Sequence, residues 1–212
     1  MDARNETIVL LHGLNRTALS MIPIAIAARR RGYRVINWHY PSKRRSIAKH
    51  AEVLAREVGP RLRDASRVHF ITHSLGGIIA RQFLATRPLP NLGRVVMLAP
   101  PNGGSEVAEM LEPFVGRLMK PLAELTTNAM RAVPELQCPV GVIAGSRSHI
   151  PLFSRWMHDV PNDGVVAVER TKLAHMSDFV VLQRTHTFLP WAPDAIANAL
   201  YFVAHGQFAS GR

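Results

Sequence analysis

Arg67-Val68-His69-Phe70-Ile71-Thr72-His73-Ser74-Leu75-Gly76-Gly77-Ile78-Ile79 is the stretch on which the reading of the fold turns. Val68 to Ile71 is a short β-type run. A run of helical spacing, with Ile78, Ile79 and Phe83 as its apolar positions, follows Ser74 at once. Ser74 therefore sits at the tip of a strand-to-helix turn. Such a turn strains the backbone of its central residue, so its neighbours must be small enough for strand and helix to approach. Thr72 and Gly76 stand two positions to either side. The pattern is that of a nucleophile elbow, G-x-S-x-G, with Thr in the first glycine position. A serine there could also be an ordinary helix N-cap. It reads as a nucleophile only if the rest of the chain supplies a base, an acid and an oxyanion hole.

Toward the N-terminus, Thr7-Ile8-Val9-Leu10-Leu11 is a continuous apolar run ending at His12-Gly13, typical of a strand buried on both faces. The spacing predicts a helix over 18–30 stopped by Gly32, a strand over 33–40 closed by Pro41, and a helix over 46–62. Ser46 is the N-cap of that last helix, and Pro60 sits awkwardly near its end. Toward the C-terminus, strands are expected over 94–99, 139–145 and 178–182, with irregular Met- and Leu-rich helices over 105–137. A final helix over 193–204 ends at Gly206. Strands alternating with helices, and apolar throughout, imply an α/β architecture: a minimal, mostly parallel six-stranded sheet with helices on both faces. Right-handed crossovers bring the C-terminal ends of its strands to one edge. His12, Ser74, Asn102, Asp163 and His186 all follow strand ends and converge where open α/β sheets build their sites. No repeat or linker interrupts residues 1–212, which read as a single domain.

The chain has 212 residues, 47% of them hydrophobic, enough for one sizeable core. Its one cysteine, Cys138, excludes an intrachain disulfide and reads as a small buried hydrophobe. No stretch reaches the roughly 18 apolar residues of a membrane span. The apolar segment 18–28 is broken by Pro23 and follows a strand, so it reads as a core helix and not as a signal peptide. A cytoplasmic protein is expected. The net charge of +11 arises from 26 Lys and Arg against 15 Asp and Glu. It allows weak attraction to anionic surfaces. No zinc-finger or aromatic RNA-binding pattern accompanies it, so no nucleic-acid partner is expected. No paired-cysteine spacing is present, and neither a metal nor another cofactor is expected.

Five motifs together carry a family resemblance: the strand ending in His12-Gly13-Leu14, Thr72-His73-Ser74-Leu75-Gly76-Gly77, Ala99-Pro100-Pro101-Asn102-Gly103-Gly104-Ser105, Asn162-Asp163-Gly164-Val165-Val166 and Thr185-His186-Thr187-Phe188. From Ile8 to Phe208 the chain resembles the α/β-hydrolases. It is similar in scale to minimal bacterial lipases and in detail to the subgroup related to GPI-inositol deacylases. The resemblance implies an α/β-hydrolase fold without the two antiparallel strands that open larger members, and a short helical, lid-like insertion at 105–137. It implies a serine esterase or lipase that acts on a small-molecule ester or lipid through an acyl-serine intermediate. Ser74 would be the nucleophile, Asp163 the acid and His186 the base, in the chain order of this fold. The backbone N–H groups of Leu14 and Leu75 would form the oxyanion hole. His12, Asn15, Met110 and Phe114 are substrate-pocket candidates.

Several alternatives stay open. His73, expected to point away from the attack direction, His175 and His205 compete with His186 as base; Asp159 and Asp178 compete with Asp163 as acid. Residues 105–137 form either a lid or acyl-binding wall, or helices packed on the core. Trp38 and Tyr40 line the pocket or fill the core. The same triad could transfer an acyl group or cleave thioesters and amides, and the charge of +11 keeps a non-catalytic basic binding module in view.

Overall fold

Each apolar run becomes a strand in the computed structural model, which describes residues 5–148 and 160–209. The strands are β1 (Glu6–Leu11), β2 (Arg34–Trp38), β3 (Arg67–His73), β4 (Leu92–Leu98), β5 (Val140–Gly145) and β6 (Asp178–Leu182). Their order in the sheet is β2-β1-β3-β4-β5-β6, and every neighbouring pair is parallel. The sheet is thus wholly parallel rather than mostly so. The chain steps from β1 out to β2, then returns past β1 to β3 and continues the other way. That reversal opens a crevice beyond the C-terminal ends of β1 and β3.

The helices are α1 (Ile22–Arg30), α2 (Ile47–Glu57), α3 (Leu75–Thr86), α4 (Glu106–Val115), α5 (Thr127–Met130), α6 (Val168–Thr171) and α7 (Pro193–His205). Strand side chains alternate between the two faces of the sheet. Ile8, Leu10, Ile71, Val96 and Ile143 pack against α1 and α7 through Ile24, Ala28, Leu200 and Phe202. Val9, Leu11, Phe70, Val95 and Val142 pack against α2 and α3 through Leu54, Ile78, Ile79 and Phe83. Both layers are almost fully dry, which is why the strands read as unbroken apolar runs.

Two helices start or stop differently from expectation, each at a proline. The 18–30 segment begins as a 3-10 turn, Ala18–Met21, and becomes α-helical only around Pro23, which occupies the first turn of α1. A proline is tolerated there because its missing N–H has no partner in a first turn. The 46–62 segment ends as an α-helix at Glu57 and finishes in a 3-10 turn, Gly59–Leu62, because Pro60 cannot donate to the helical ladder. Among the described residues no helix is long and apolar enough to cross a membrane.

The elbow is the tightest point of the chain. Ser74 has φ 52° and ψ −123°, and leads directly into α3. Among the described residues the other non-glycine positive φ values are at Asn15 (55°) and Ala99 (45°), just beyond β1 and β4. Strain of this kind costs on the order of 1–3 kcal/mol per residue, and here it collects along one edge of the sheet. Gly76 permits the turn: a Cβ at that position would lie 2.4 Å from the carbonyl oxygen of Leu11. Thr72 is accommodated where the pattern has glycine because its hydroxyl donates to the Val96 carbonyl oxygen at 3.4 Å. Gly77 leaves room for it, since a Cβ there would come within 3.3 Å of the Thr72 hydroxyl.

Gly76→Ala therefore forces α3 away from β1. It is expected to destabilise by about 1–3 kcal/mol or more, read as a lower urea midpoint. Gly59→Ala, with nothing within 4 Å of the added methyl, should leave the midpoint nearly unchanged.

Candidate active site

Asp163 and His186 meet in the loops that follow β5 and β6. The Nδ1–H of His186 donates to Asp163 Oδ2 at 2.7 Å. The other carboxylate oxygen, Oδ1, accepts from the backbone N–H groups of Val165 (3.0 Å) and Val166 (2.9 Å). Gly164, at φ 96°, lets the loop turn back over its own acid. Gly145, the last residue of β5, lets Asp163 approach: a Cβ there would lie 2.8 Å from Asp163 Cβ and 2.5 Å from the Arg184 carbonyl oxygen. The backbone of His186 is held on both sides. Its N–H donates to the Asp163 carbonyl at 3.0 Å, and its C=O accepts from His73 Nε2–H at 3.0 Å. With Nδ1 committed to a carboxylate, Nε2 is the basic nitrogen that faces the cavity.

Ser74 and His186 line one cavity of about 200 Å³. The hydroxyl of Ser74 makes no hydrogen bond among the described residues, so the serine and the imidazole share a cavity without yet being joined. Leu14 also lines it, and Leu75 follows Ser74 directly. Gly13 brings the first loop onto the elbow; a Cβ there would sit 3.2 Å from Ser74 Cβ and 3.0 Å from His73 Nδ1. The far wall is apolar and comes from Val107, Ala108, Leu122, Leu125, Val165 and Val166. Residues 105–137 thus form a wall of the site as well as packing on the core. Ser105 ties that wall to the acid loop: its hydroxyl donates to the Val165 carbonyl at 2.8 Å and accepts from Ala108 N–H. Arg170 of α6 ion-pairs with Glu106 of α4 at 2.6 Å. The buried guanidinium of Arg81, on the elbow helix, donates to the carbonyls of Val133 and Pro134 and to Asn102 Oδ1.

Of the pocket candidates, Asn15 lines the cavity and three do not. His12 is fully buried beneath the loop: its ring stacks on Tyr40 at 4.1 Å and its Nδ1–H donates to the Gly13 carbonyl at 2.9 Å. It braces the loop and cannot reach a substrate. Phe114 is 82% exposed on the outer side of α4, and Met110 is absent from the lining. The helical spacing that suggested both is carried into the pocket one turn earlier, by Val107 and Ala108. Trp38 and Tyr40 are buried and stacked at 4.6 Å, so they belong to the core. Tyr40 holds the loop by donating its hydroxyl to the His12 carbonyl.

The rival acids and bases lie elsewhere. His175 is exposed beside Glu135, and His205 is exposed at the end of α7, where its Nδ1–H donates to the Tyr201 carbonyl. Asp178 opens β6 at the opposite edge and accepts from Phe179 and Phe208 N–H. Asp159 lies outside the described residues. His73 does not point away from the site but packs beneath it, its ring 4.8 Å from that of His186. The one His-x-x-x-His spacing of the chain, His69 to His73, falls on a strand. The strand rise carries the two rings apart along it, to Glu6 and to the His186 carbonyl respectively. Among the described residues no group of three or more His, Cys, Asp and Glu is arranged to hold a metal. Burial raises the Cys138 thiol to about 11, which leaves it unreactive at neutral pH. Arg16 and Thr187 line the cavity unforeseen. They stand two residues after Leu14 and one after His186, and no hydrophobic period marks such positions.

A model of the alpha/beta hydrolase family matches residues 8–205. No curated protein sequence matches the chain. Among solved structures, the mature lipase BlEst2 of Bacillus licheniformis superposes with a TM-score of 0.77 at 18% identity, covering 96% of this chain and 92% of that one. The metagenomic carboxyl esterase MGS0156 gives 0.72 at 18% identity, over 88% and 66% of the two chains. A carboxylesterase structure from the Thaumarchaeon Nitrososphaera gargenis gives 0.64 at 17% identity, over 97% and 92%. At these identities the likeness is one of fold.

Histidines buried in the neutral form make stability depend on pH. Burial holds His12, His50 and His69 down at about 4, and His73 well below its ordinary range. The unfolded chain takes up these protons near the ordinary value of about 6.5. Between about 6.5 and 4 it binds more protons than the folded chain, so stability is complete above that window and falls as pH drops through it. His50 is fully buried and neither ring nitrogen has a hydrogen-bond partner. His50→Phe should therefore flatten the fall by on the order of 1–3 kcal/mol, measured as thermal midpoint against pH.

Proposed function

The chain belongs to the alpha/beta hydrolase family, and from that premise we propose that it hydrolyses carboxylic esters through an acyl-serine intermediate on Ser74. The observation that carries this reading is the 2.7 Å hydrogen bond from His186 Nδ1 to Asp163 Oδ2, in the wall of the cavity into which the strained Ser74 opens.

A serine hydroxyl is a weak nucleophile until a base accepts its proton. In this reading, substrate entry turns the Ser74 hydroxyl toward His186 Nε2, the kind of tightening that separates resting from substrate-bound sites. Ser74 Oγ attacks the ester carbonyl as its proton passes to Nε2. Asp163 holds the imidazole in the required tautomer and stabilises its cation. The carbonyl oxygen becomes an oxyanion that accepts from the N–H groups of Leu14 and Leu75. Loss of one such donor costs on the order of 100- to 1,000-fold in serine hydrolases. The C–O bond breaks, His186 returns the proton to the departing alcohol, and water repeats the sequence to release the acid. The apolar wall of Val107, Ala108, Leu122 and Leu125 suits an acyl chain, and about 200 Å³ suits a short one.

Ser74→Ala should lower turnover of aryl esters about a million-fold, and Asp163→Asn about ten-thousand-fold through the wrong imidazole tautomer. A fluorophosphonate probe should label the peptide that contains Ser74. Wild-type turnover by Ser74→Ala would sink the proposal. In a chain-length series, butanoate and hexanoate esters should outrun hexadecanoate esters.

A further inference from the structure

Beyond the acyl cavity lies a second, more open one, of about 350 Å³, lined by Asn15, Arg16, Thr17, Leu19, Ser20, Thr187, Phe188 and Trp191. Asn15, Arg16 and Thr187 line both cavities, so the two adjoin across this short seam beside Ser74. The open cavity has an apolar floor presented to solvent: Leu19, Phe188 and Trp191 are 66%, 64% and 55% exposed. The seam itself is cationic. Arg16 Nη2 donates to Thr187 Oγ1 at 2.8 Å, which turns the guanidinium along the seam next to the base. No carboxylate pairs with Arg16 among the described residues, and no aspartate or glutamate lines either cavity. The loop that carries Arg16 is also fixed. Asn15 adopts a left-handed conformation, and its N–H donates to the Ser42 hydroxyl at 3.0 Å.

We propose that the open cavity receives the alcohol side of the ester, and that Arg16 selects alcohols that carry an anionic group, carboxylate or phosphate, near the scissile bond. This rests on the esterase reading above. The acyl wall takes up the other side of Ser74, which leaves the open cavity for the alcohol. An apolar floor with one unpaired guanidinium at its inner end suits an aromatic or aliphatic alcohol with a negative charge close to the ester oxygen. Guanidinium binds carboxylate and phosphate through paired hydrogen bonds, and removing a charged partner of this kind typically costs about 10- to 100-fold. The chain's charge of +11 attracts any anion weakly; a specific contact differs from that field in depending on one position.

The test compares kcat/KM for 3-carboxyphenyl butanoate with that for the uncharged, similarly shaped 3-carbamoylphenyl butanoate, at low salt. Taking the ratio for each protein cancels the intrinsic reactivity of the two leaving groups. Arg16→Gln should lower the anionic-to-neutral ratio at least 10-fold relative to wild type, and Arg16→Lys should restore part of it. Arg63→Gln removes the same charge from the exposed chain before β3, at the opposite edge of the sheet, and should leave the ratio within about 2-fold of wild type. An equal loss in Arg63→Gln assigns the effect to the general field and overturns the proposal, as does an unchanged ratio in Arg16→Gln. If the neutral ester is turned over and Ser74 is labelled while the ratio ignores Arg16, only this inference fails. If neither ester reacts and Ser74 takes no label, the esterase reading fails and this one with it. A parallel arm with vesicles of a phosphatidic acid that carries one short, hexanoyl chain identifies the source of the anion. Arg16-dependent cleavage of the dissolved aryl ester alone means a soluble substrate; Arg16-dependent cleavage of the vesicles as well means that a lipid headgroup also satisfies the site.

Discussion

The close approach of α3 to β1 at Gly76 is the constraint from which the rest of the site follows. With no side chain at that position, the helix begins within van der Waals reach of the Leu11 carbonyl. Ser74 is thereby pushed out of the sheet plane in a conformation that a non-glycine residue adopts only under compulsion. The compulsion comes from the core on both sides. Ile71 faces one layer, while Phe70, Ile78 and Ile79 are buried in the other. Fully burying such side chains is worth about 1.5–3 kcal/mol each, so a few of them outweigh the strain of one turn. The same crevice receives the loop after β1, where Gly13 lets the backbone pass against Ser74. Ser74 and the first loop are thus neighbours because the sheet reverses its winding between β1 and β3.

Around that point the structure uses polar groups so that each has one duty. One oxygen of Asp163 shapes its own loop and the other orients His186. His73 carries no charge at neutral pH, because burial and the neighbouring His186 both oppose protonation. It can therefore lie beneath His186 and hold its backbone without adding a cation there. His12 is neutral for the same reason of burial and steadies the first loop. Arg81 is the exception, a buried cation with no carboxylate hydrogen-bonded to it among the described residues. Its three acceptors belong to the end of the 105–137 segment and to the Asn102 turn. It ties the elbow helix to the end of the segment whose earlier residues wall the cavity.

The strands were legible because burial on both faces leaves apolar runs with few readings, and 7–11, 94–99 and 178–182 match the structure to within two residues at either end. That Ser74, Asp163 and His186 gather at one crevice was legible through their place after strand ends, and the elbow through the small residues its turn demands. What stayed hidden depends on contacts between distant parts of the chain. His12 follows a strand end just as His186 does, yet packing against Tyr40 turns it into a brace. Met110 and Phe114 share the helical period of Val107, but period alone does not say which face of α4 meets the cavity; the Ser105 cap and the Arg170–Glu106 pair set that rotation. Arg16 looked like one more charge in an Arg-rich chain. Its setting appears only when the loops after β1 and β6 lie side by side.

The two sides of the site are therefore built from different material. The wall proposed for the acyl chain is made by an insertion between β4 and β5 that sits outside the sheet, held by side-chain clamps. Its bore can change with Val107, Ala108, Leu122 or Leu125 without moving Ser74. The proposed alcohol side is made by the loops that also carry Leu14, proposed as an oxyanion donor, and His186, proposed as the base, so a change there would disturb the proposed chemistry itself. An exposed arginine on such a loop, hydrogen-bonded to a threonine and paired with no carboxylate among the described residues, keeps its charge available at low cost in folding. Exposed ion pairs add at most about 1 kcal/mol, so leaving Arg16 unpaired forgoes little stability. It places a positive charge beside Ser74, in an open cavity whose other described lining residues carry no charge.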